Sequence, residues 1–359
     1  MESTTWMHRC LELAALGSGT AAPNPMVGAV LVHQDRILAE GWHRAAGGPH
    51  AEVECLRAFG DGPVPDDAVL HVNLEPCAHH GRTPPCADLI IARGVRHVTI
   101  AHRDPFPEVD GRGVERLRNA GITVSLGIQE AQARWLNRRF LGSVENGRPY
   151  IVLKWARSQD GFLDRHPRSS RTVQRISSPA TDAVVHRWRT EEQAILVGSR
   201  TVLNDDPQLT ARLHAGRQPL RVVLDREGIT PSGSKVYDGS TPTLLFTDAV
   251  RSQVNGDQVV LPVASDPLSV LLDELLRRQI RSVLVEGGAK LLGHFLSSEL
   301  WDEARVITGG SFFEQGTAAP MLHGLPQRSW SSDTDHIDFH VNQRPNTKWS
   351  AIPDPTWPW

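Results

Sequence analysis

Cysteine is scarce in this chain. Four among 359 residues cannot make a disulfide framework, and in a reducing compartment a close pair of cysteines more often binds metal or does redox work. An excess of charge of either sign is also missing. With 38 Lys and Arg against 41 Asp and Glu, the net charge is −3, whereas a surface that neutralises phosphates normally shows as a basic excess. Nucleic acid is therefore excluded as the expected partner. No apolar run approaches the ~18 to 20 residues of a membrane span, and the opening MESTTWMHRC has no charged flank followed by an apolar core. The expectation is a soluble, cytoplasmic protein without a membrane partner. Its length exceeds the ~250 to 300 residues at which single cores stop growing, so two domains are expected.

Apolar runs alternate with amphipathic ones from the start. The spacing predicts a helix over 4–16 stopped by Gly17, strands over 27–33 and 37–43, a helix over 51–59 and a strand over 68–74. A helix over 86–93, a strand over 97–101, a helix over 113–120 and a strand over 122–126 complete an α/β layered domain. A helix over 129–141 then leads into GSVENGRP (142–149), whose Gly, polar residues and closing Pro mark a boundary. The domains are expected to be 1–146 and 147–359. The second again alternates: strands at YIVLKWA (150–156), AILVG, LRVVLD, TLLF, VVLP, SVLVEGG (282–288), EARVIT and DFHV, with helices over 180–192, 267–279 and 289–300. The tail RPNTKWSAIPDPTWPW has no periodicity and is left unassigned.

The stretch LEPCAHHGRTPPC (74–86) concentrates two of the cysteines on a stiff loop. Upstream, PHAE (49–52) places His50 and Glu52 at the start of a helix. His50, Cys77 and Cys86 make one nitrogen and two sulfur ligands, a set that zinc accepts in a tetrahedron with one position open to water. Bound zinc lowers the pKa of water from ~15.7 to about 7. Glu52, two residues past His50 on the same turn, is placed to collect that proton and pass it to a leaving group. Zinc deaminases use this arrangement: His-x-Glu, then Pro-Cys and a later cysteine, with the Glu not a ligand. Their usual signature separates the cysteines by two residues, and here AHHGRTPP intervenes. Cys86 can still reach the metal if Pro84-Pro85 opens a helix. A closed structural site would need a fourth ligand, for which Cys10, Cys55, His79 and His80 are the candidates. Cys10 and Cys55 fall on apolar helix faces, as small core residues do.

PNPMVGAV (23–30), GWH (41–43), PHAE and LEPCAHHGRTPPC, in this order, resemble the deaminase half of the bifunctional riboflavin-biosynthesis deaminase–reductase family, whose own pattern includes the long insert between the cysteines. The resemblance implies a cytidine-deaminase-like α/β/α layer. The implied substrate is a diaminopyrimidinone carrying a ribosylamino phosphate, and hydrolysis at the 2-amino carbon releases ammonia. It also implies His50, Cys77 and Cys86 as zinc ligands, Glu52 as the proton shuttle, and Asn24, His43 and His79 around the pyrimidine. Asn24, between two prolines, could equally serve as a turn former.

RPYIVLKWARSQDG (148–161), HRWRTEEQAILVGSRTVLNDDPQLTAR (186–212), RVVLD (221–225) and VEGGAKLL (285–292) resemble the same family's reductase domain, of dihydrofolate-reductase-like α/β fold. Residues alone give partial support. The Gly-Gly turn before a helix suits phosphate or merely reverses the chain. Asp205-Asp206-Pro207 could be only a turn. Lys154 in an apolar strand needs a partner or a shifted pKa, unless it snorkels to solvent. The resemblance implies NADPH against Ala156, Arg175, Thr201, Asp205 and the run Gly288, Ala289, Lys290, Leu291, Leu292, Gly293, His294. It implies Lys154, Arg189, Leu209, Arg212 and Glu286 around the ribosyl phosphate, with hydride delivered to C1 of the opened sugar. Arg175 stands where the family usually has Trp. An arginine there stacks on nicotinamide or grips the 2′-phosphate, or the stretch with Arg165, Arg168 and Arg171 is a solvated loop. Three other readings remain: a nucleoside or tRNA-base deaminase with an unrelated tail domain, a deaminase with a silent nucleotide-binding partner, and a regulatory protein with structural zinc. A homo-oligomer is compatible with the sequence.

Overall fold

A computed structural model describes residues 3–79, 84–168 and 173–343, which divide into two compact units between Gly147 and Arg148. His80, Arg171 and the tail lie outside the described residues. In the first unit the order is α1 (Ser3–Ala15), β1 (Gly28–His33), β2 (Arg36–Trp42), α2 (Ala51–Phe59), β3 (Val69–Val72), α3 (Cys86–Ala92), β4 (His97–Ile100), α4 (Arg112–Asn119), β5 (Thr123–Leu126), α5 (Glu130–Leu136) and α6 (Arg138–Asn146). The sheet runs β2-β1-β3-β4-β5, antiparallel across β2, β1 and β3 and parallel from β3 to β5. Two glycines show that helices cover both faces. A Cβ at Gly28 would strike the backbone of Cys10 in α1, and one at Gly41 would strike that of Cys55 in α2. Gly41 pairs with Ala29, the neighbour of Gly28, and neighbours on a strand point to opposite faces. The layer is α/β/α.

One expected helix differs. The segment over 129–141 is broken at Asn137, whose side-chain Oδ1 accepts from the Met26 backbone N–H at 2.7 Å while Nδ2 donates to the Met26 carbonyl at 2.8 Å. The chain then turns helical again through Asn146 and stops at Gly147, at φ 63°. Residues 142–146, read as linker, are thus α6, because Phe140, Leu141, Gly142 and Ser143 are buried and burial outweighs their weak propensity.

The second unit is β6 (Tyr150–Arg157), β7 (Phe162–Arg165), α7 (Pro179–Glu191), β8 (Ala194–Gly198), α8 (Ser199–Asp205), β9 (Leu220–Leu224), β10 (Thr243–Thr247), β11 (Asp257–Val260), α9 (Pro267–Arg277), β12 (Ser282–Val285), α10 (Ala289–Ser297), β13 (Glu303–Thr308), β14 (Gly316–Ala318), β15 (Arg328–Ser332) and β16 (Asp335–Val341). The main sheet runs β11-β10-β9-β8-β12-β6-β13-β16-β15, parallel up to β13 and antiparallel beyond it. Its middle strands are buried on both faces, which is why AILVG and SVLV read as unbroken apolar runs. One core gathers Ile151, Leu153, Leu196 and Val283 with α9 and α10, and another gathers Ile195, Val197 and Val223 with Val202 and Tyr237. The short α8, the polar edge strand β15 and the β7–β14 ribbon were not expected. None has a long enough apolar period to show in the sequence. Among the described residues no helix is long and apolar enough to cross a membrane.

Candidate active sites

In the first unit, β3 feeds the cysteine loop and α2 brings the histidine. His50 is the residue before the first turn of α2, and Cys86 opens α3, held there as its Ala87 N–H donates to the Cys77 carbonyl at 3.1 Å. His50 Nδ1 lies 3.6 Å from Cys77 Sγ and 3.3 Å from Cys86 Sγ, and all three donors fall within 4.8 Å of one another. Bond lengths of ~2.3 Å to sulfur and ~2.0 Å to nitrogen in a tetrahedron put N and S about 3.5 Å apart. The donor set and its spacing therefore fit zinc. Among the described residues no fourth His, Cys, Asp or Glu joins the cluster. Cys10 and Cys55 are core residues, with Sγ–H donating to the His71 and Ala39 carbonyls at 3.3 and 3.4 Å.

The Cys77 thiol is pushed down by hydrogen bonds from Cys86 and His50, and Cys86 is pushed up by the Cys77 thiolate and burial. A divalent cation relieves this competition by stabilising both thiolates. Glu52, only 3% exposed, stands outside the donor cluster, and burial raises its carboxyl pKa. That suits a group that must both take and return a proton.

Asn24 and His43 are brought together. His43 Nδ1 lies 2.9 Å from the Pro49 carbonyl, which can only accept, so Nδ1 carries the proton. Burial lowers the pKa of His43 and keeps it neutral. Its Nε2 then accepts, and the Asn24 atom 3.1 Å away is the donating Nδ2. This leaves Asn24 Oδ1 as an acceptor, and the chain from Asn24 through His43 to Pro49 adjoins His50. Asn24 is also in a turn, its N–H donating to the Ala21 carbonyl at 2.9 Å. His79 is half-buried, 3.8 Å from Glu108.

Sequence reasoning missed Glu75. Its buried carboxylate accepts from the backbone N–H groups of Asp104 (3.2 Å), Gly111 (3.0 Å) and Val114 (3.0 Å). It thereby fastens the strand end before Cys77 to the loop entering α4. Its partners are main-chain groups, which leave no residue-type signal.

The second unit holds a cavity of about 1250 Å³. Of the residues expected around cofactor and substrate, all but Gly293 line it. Glu286, at the end of β12, accepts from Arg189 Nε and Nη2, both at 2.7 Å, and lies 4.0 Å from Lys154 Nζ. Burial alone would raise the pKa of Glu286, but Arg189 and Lys154 hold it at about 2. Burial lowers that of Lys154. Lys154 is thus 14% exposed and partnered, rather than snorkelling. Gly288 N–H donates to Thr201 Oγ1 at 2.9 Å, which fixes the Gly-Gly turn against α8. Asp205 pairs with Arg168 at 2.7 Å, while Asp206 takes the left-handed turn after α8. Leu209 is 2% exposed at φ 54° and packs into the core beside Val202. Arg175 is exposed at the cavity's edge and paired with Asp182 at 2.6 Å. The cavity's size and its glycine turn, threonine and cations fit a dinucleotide.

Residues 1–102 match the family profile described as cytidine and deoxycytidylate deaminase zinc-binding region, and residues 149–330 match RibD C-terminal domain. The riboflavin biosynthesis protein RibD of Aquifex aeolicus is 40% identical over 318 residues, covering 87% of this chain and 88% of that protein. That of Escherichia coli is 40% identical over 357 residues, covering 94% and 95%. A crystal structure from Thermotoga maritima, a diaminohydroxyphosphoribosylaminopyrimidine deaminase and 5-amino-6-(5-phosphoribosylamino)uracil reductase, is 37% identical. It superposes with a TM-score of 0.83 over 94% of this chain and 97% of its own. RibD of Acinetobacter baumannii is similar with a TM-score of 0.85 at 34% identity, covering 94% of this chain and 98% of its own.

Proposed function

The chain belongs to the riboflavin biosynthesis protein RibD family, and from that premise we propose how its residues divide the labour of a bifunctional deaminase and NADPH-dependent reductase. The deaminase work falls to residues 1–146 and the reductase work to 147 onwards. The observation that carries the reading is the convergence of His50, Cys77 and Cys86 within 4.8 Å beside the buried Glu52. We place the enzyme in the cytoplasm, where the two thiols stay reduced.

The substrate is 2,5-diamino-6-(ribosylamino)pyrimidin-4-one 5′-phosphate. Asn24 Oδ1 accepts from the pyrimidine edge, with His43 fixing the amide, and His79 closes the pocket. His50, Cys77 and Cys86 would hold a zinc ion, which when bound would supply a water made nucleophilic at neutral pH. Glu52 takes the proton of the attacking water and returns it to the departing nitrogen, which leaves as ammonia. Its burial keeps the proton from escaping to solvent.

The cavity of the second unit would hold NADPH, which when bound would supply the hydride for C1 of the sugar. Thr201, Asp205 and the turn from Gly288 into α10 cradle the cofactor, with Ala156 against it. Arg175, committed to Asp182, is left out of that set. Lys154, its pKa lowered by burial, gives a proton to the ring oxygen as the C1–O bond breaks and the exocyclic nitrogen, keeping its hydrogen, forms the protonated imine that a hydride converts to the amine. Glu286 orients Lys154 and Arg189, while Leu209 and Arg212 complete the ribosyl phosphate pocket. The test is to give purified protein the diaminopyrimidinone phosphate with NADPH and follow ammonia and the cofactor absorbance. Both signals are expected, reduction after deamination. Ammonia without oxidation would mean a deaminase with a silent partner, and neither signal would refute the reading.

A further inference from the structure

His186 belongs to α7, three residues before Arg189, and lines the reductase cavity while only 4% exposed. Its Nδ1 accepts from the Leu213 backbone N–H at 3.2 Å. A backbone N–H can only donate, so Nδ1 bears no proton. Burial, then the Arg189 and Arg212 guanidiniums, lower the imidazole pKa to about 4 and keep the ring neutral. The single ring proton is therefore on Nε2. Its polar contact is Arg189 Nη1 at 3.5 Å, which is also a donor and cannot receive it. Among the described residues Nε2–H has no acceptor.

The surroundings say what the acceptor is. The segment that follows Leu209 is docked on α7 twice, through Arg189 Nη1–H donating to the Thr210 carbonyl at 2.9 Å and through Leu213 N–H donating to His186. Between those clamps sits Arg212, exposed, lining the cavity, and without a partner among the described residues. On this side of the cavity Lys154, Arg189, Arg212 and Arg175 stand against the carboxylates of Glu286 and Asp182, the latter paired with Arg175. That surplus of two positive charges complements a phosphate monoester. We propose that His186 Nε2–H donates to a phosphate oxygen of the ribosyl phosphate, beside Arg212, so that α7 reads the phosphate with one neutral donor and one cation. This rests on the reductase reading above.

Two amide variants separate this role from a purely structural clamp. Asn at 186 reproduces an acceptor near Nδ1 and lacks the outer donor; Gln places an amide N–H near Nε2 and gives up the inner acceptor. Hydrogen bonds to charged groups are worth ~1.5 to 3 kcal/mol, about 10- to 150-fold. His186→Asn should therefore raise KM for the phosphorylated uracil substrate by that factor with kcat little changed, and His186→Gln should recover most of the loss. The substrate lacking the phosphate should be reduced equally by wild type and His186→Asn. Calorimetric binding of ribose 5-phosphate to the full chain reads the same contact without turnover and should weaken in parallel. A wild-type-like Asn variant with an impaired Gln variant would overturn the proposal, as would equal losses with and without the phosphate. Should wild type oxidise no NADPH at all, the reductase reading fails, yet the ribose 5-phosphate affinities still decide the proposal: weaker binding by Asn supports it, and equal binding overturns it.

Discussion

Replacing Glu286 by Gln removes one charge and almost no volume from the centre of the second unit. Its carboxylate is 7% exposed, receives both bonds from Arg189 and faces Lys154 at 4.0 Å. Gln retains one oxygen for Arg189, but its amide nitrogen meets the other guanidinium donor head on. Two buried cations lose their ion-pair partner, and breaking such a pair from one side costs ~3 to 5 kcal/mol. Hydrogen exchange read by mass spectrometry is the assay, because opening free energies are reported segment by segment. In the variant, amides of β6, β8 and β12 should lose protection by roughly 100- to 3000-fold. Those of β1, β3 and β4 should not change, since they belong to the other unit's core. A loss below about 1 kcal/mol would match an exposed pair and refute the claim that Glu286 neutralises Lys154 and Arg189.

Glu52→Gln should abolish ammonia release by at least ~100-fold while metal analysis finds zinc at the wild-type ratio; near-normal release would refute the proton shuttle. The Glu286 carboxyl is held at about 2, below its ordinary 4.5, so its contribution is fully present above pH 4.5 and is lost as pH falls toward 2. Acid titration of β6 and β12 protection should show that loss in wild type and a flatter dependence in Glu286→Gln. Arg175→Ala should change NADPH affinity, measured by fluorescence titration, less than about fivefold, as suits an exposed pair worth under ~1 kcal/mol. Glu75→Gln should lower the thermal midpoint and zinc affinity together, because one of its oxygens becomes a donor facing backbone N–H groups; loss of neither would show the anchor to be idle.

The cluster of His50, Cys77 and Cys86 could be read from sequence because its chemistry is carried by residue type. An imidazole and two thiols in a chain with four cysteines are conspicuous, and both loop and helix start are marked by prolines. The strands at the sheet centres were legible for a related reason, since burial on both faces leaves unbroken apolar runs. Glu75 was not, because everything it holds is main chain. Nor was the chemical state of His186, which is set by a backbone N–H twenty-seven residues away. The break at Asn137 depends on a contact with Met26, and no local period contains it. The reductase cavity lies between these extremes: Lys154, Arg189 and Glu286 are ordinary charges until the parallel sheet brings the ends of β6 and β12 beside α7.

X-ray absorption at the zinc edge on active, full-length protein tests the central claim most directly. Two sulfur neighbours, one imidazole and one further light atom that exchanges with solvent are the expected result. A third sulfur, a second imidazole or the absence of zinc from active enzyme would contradict it.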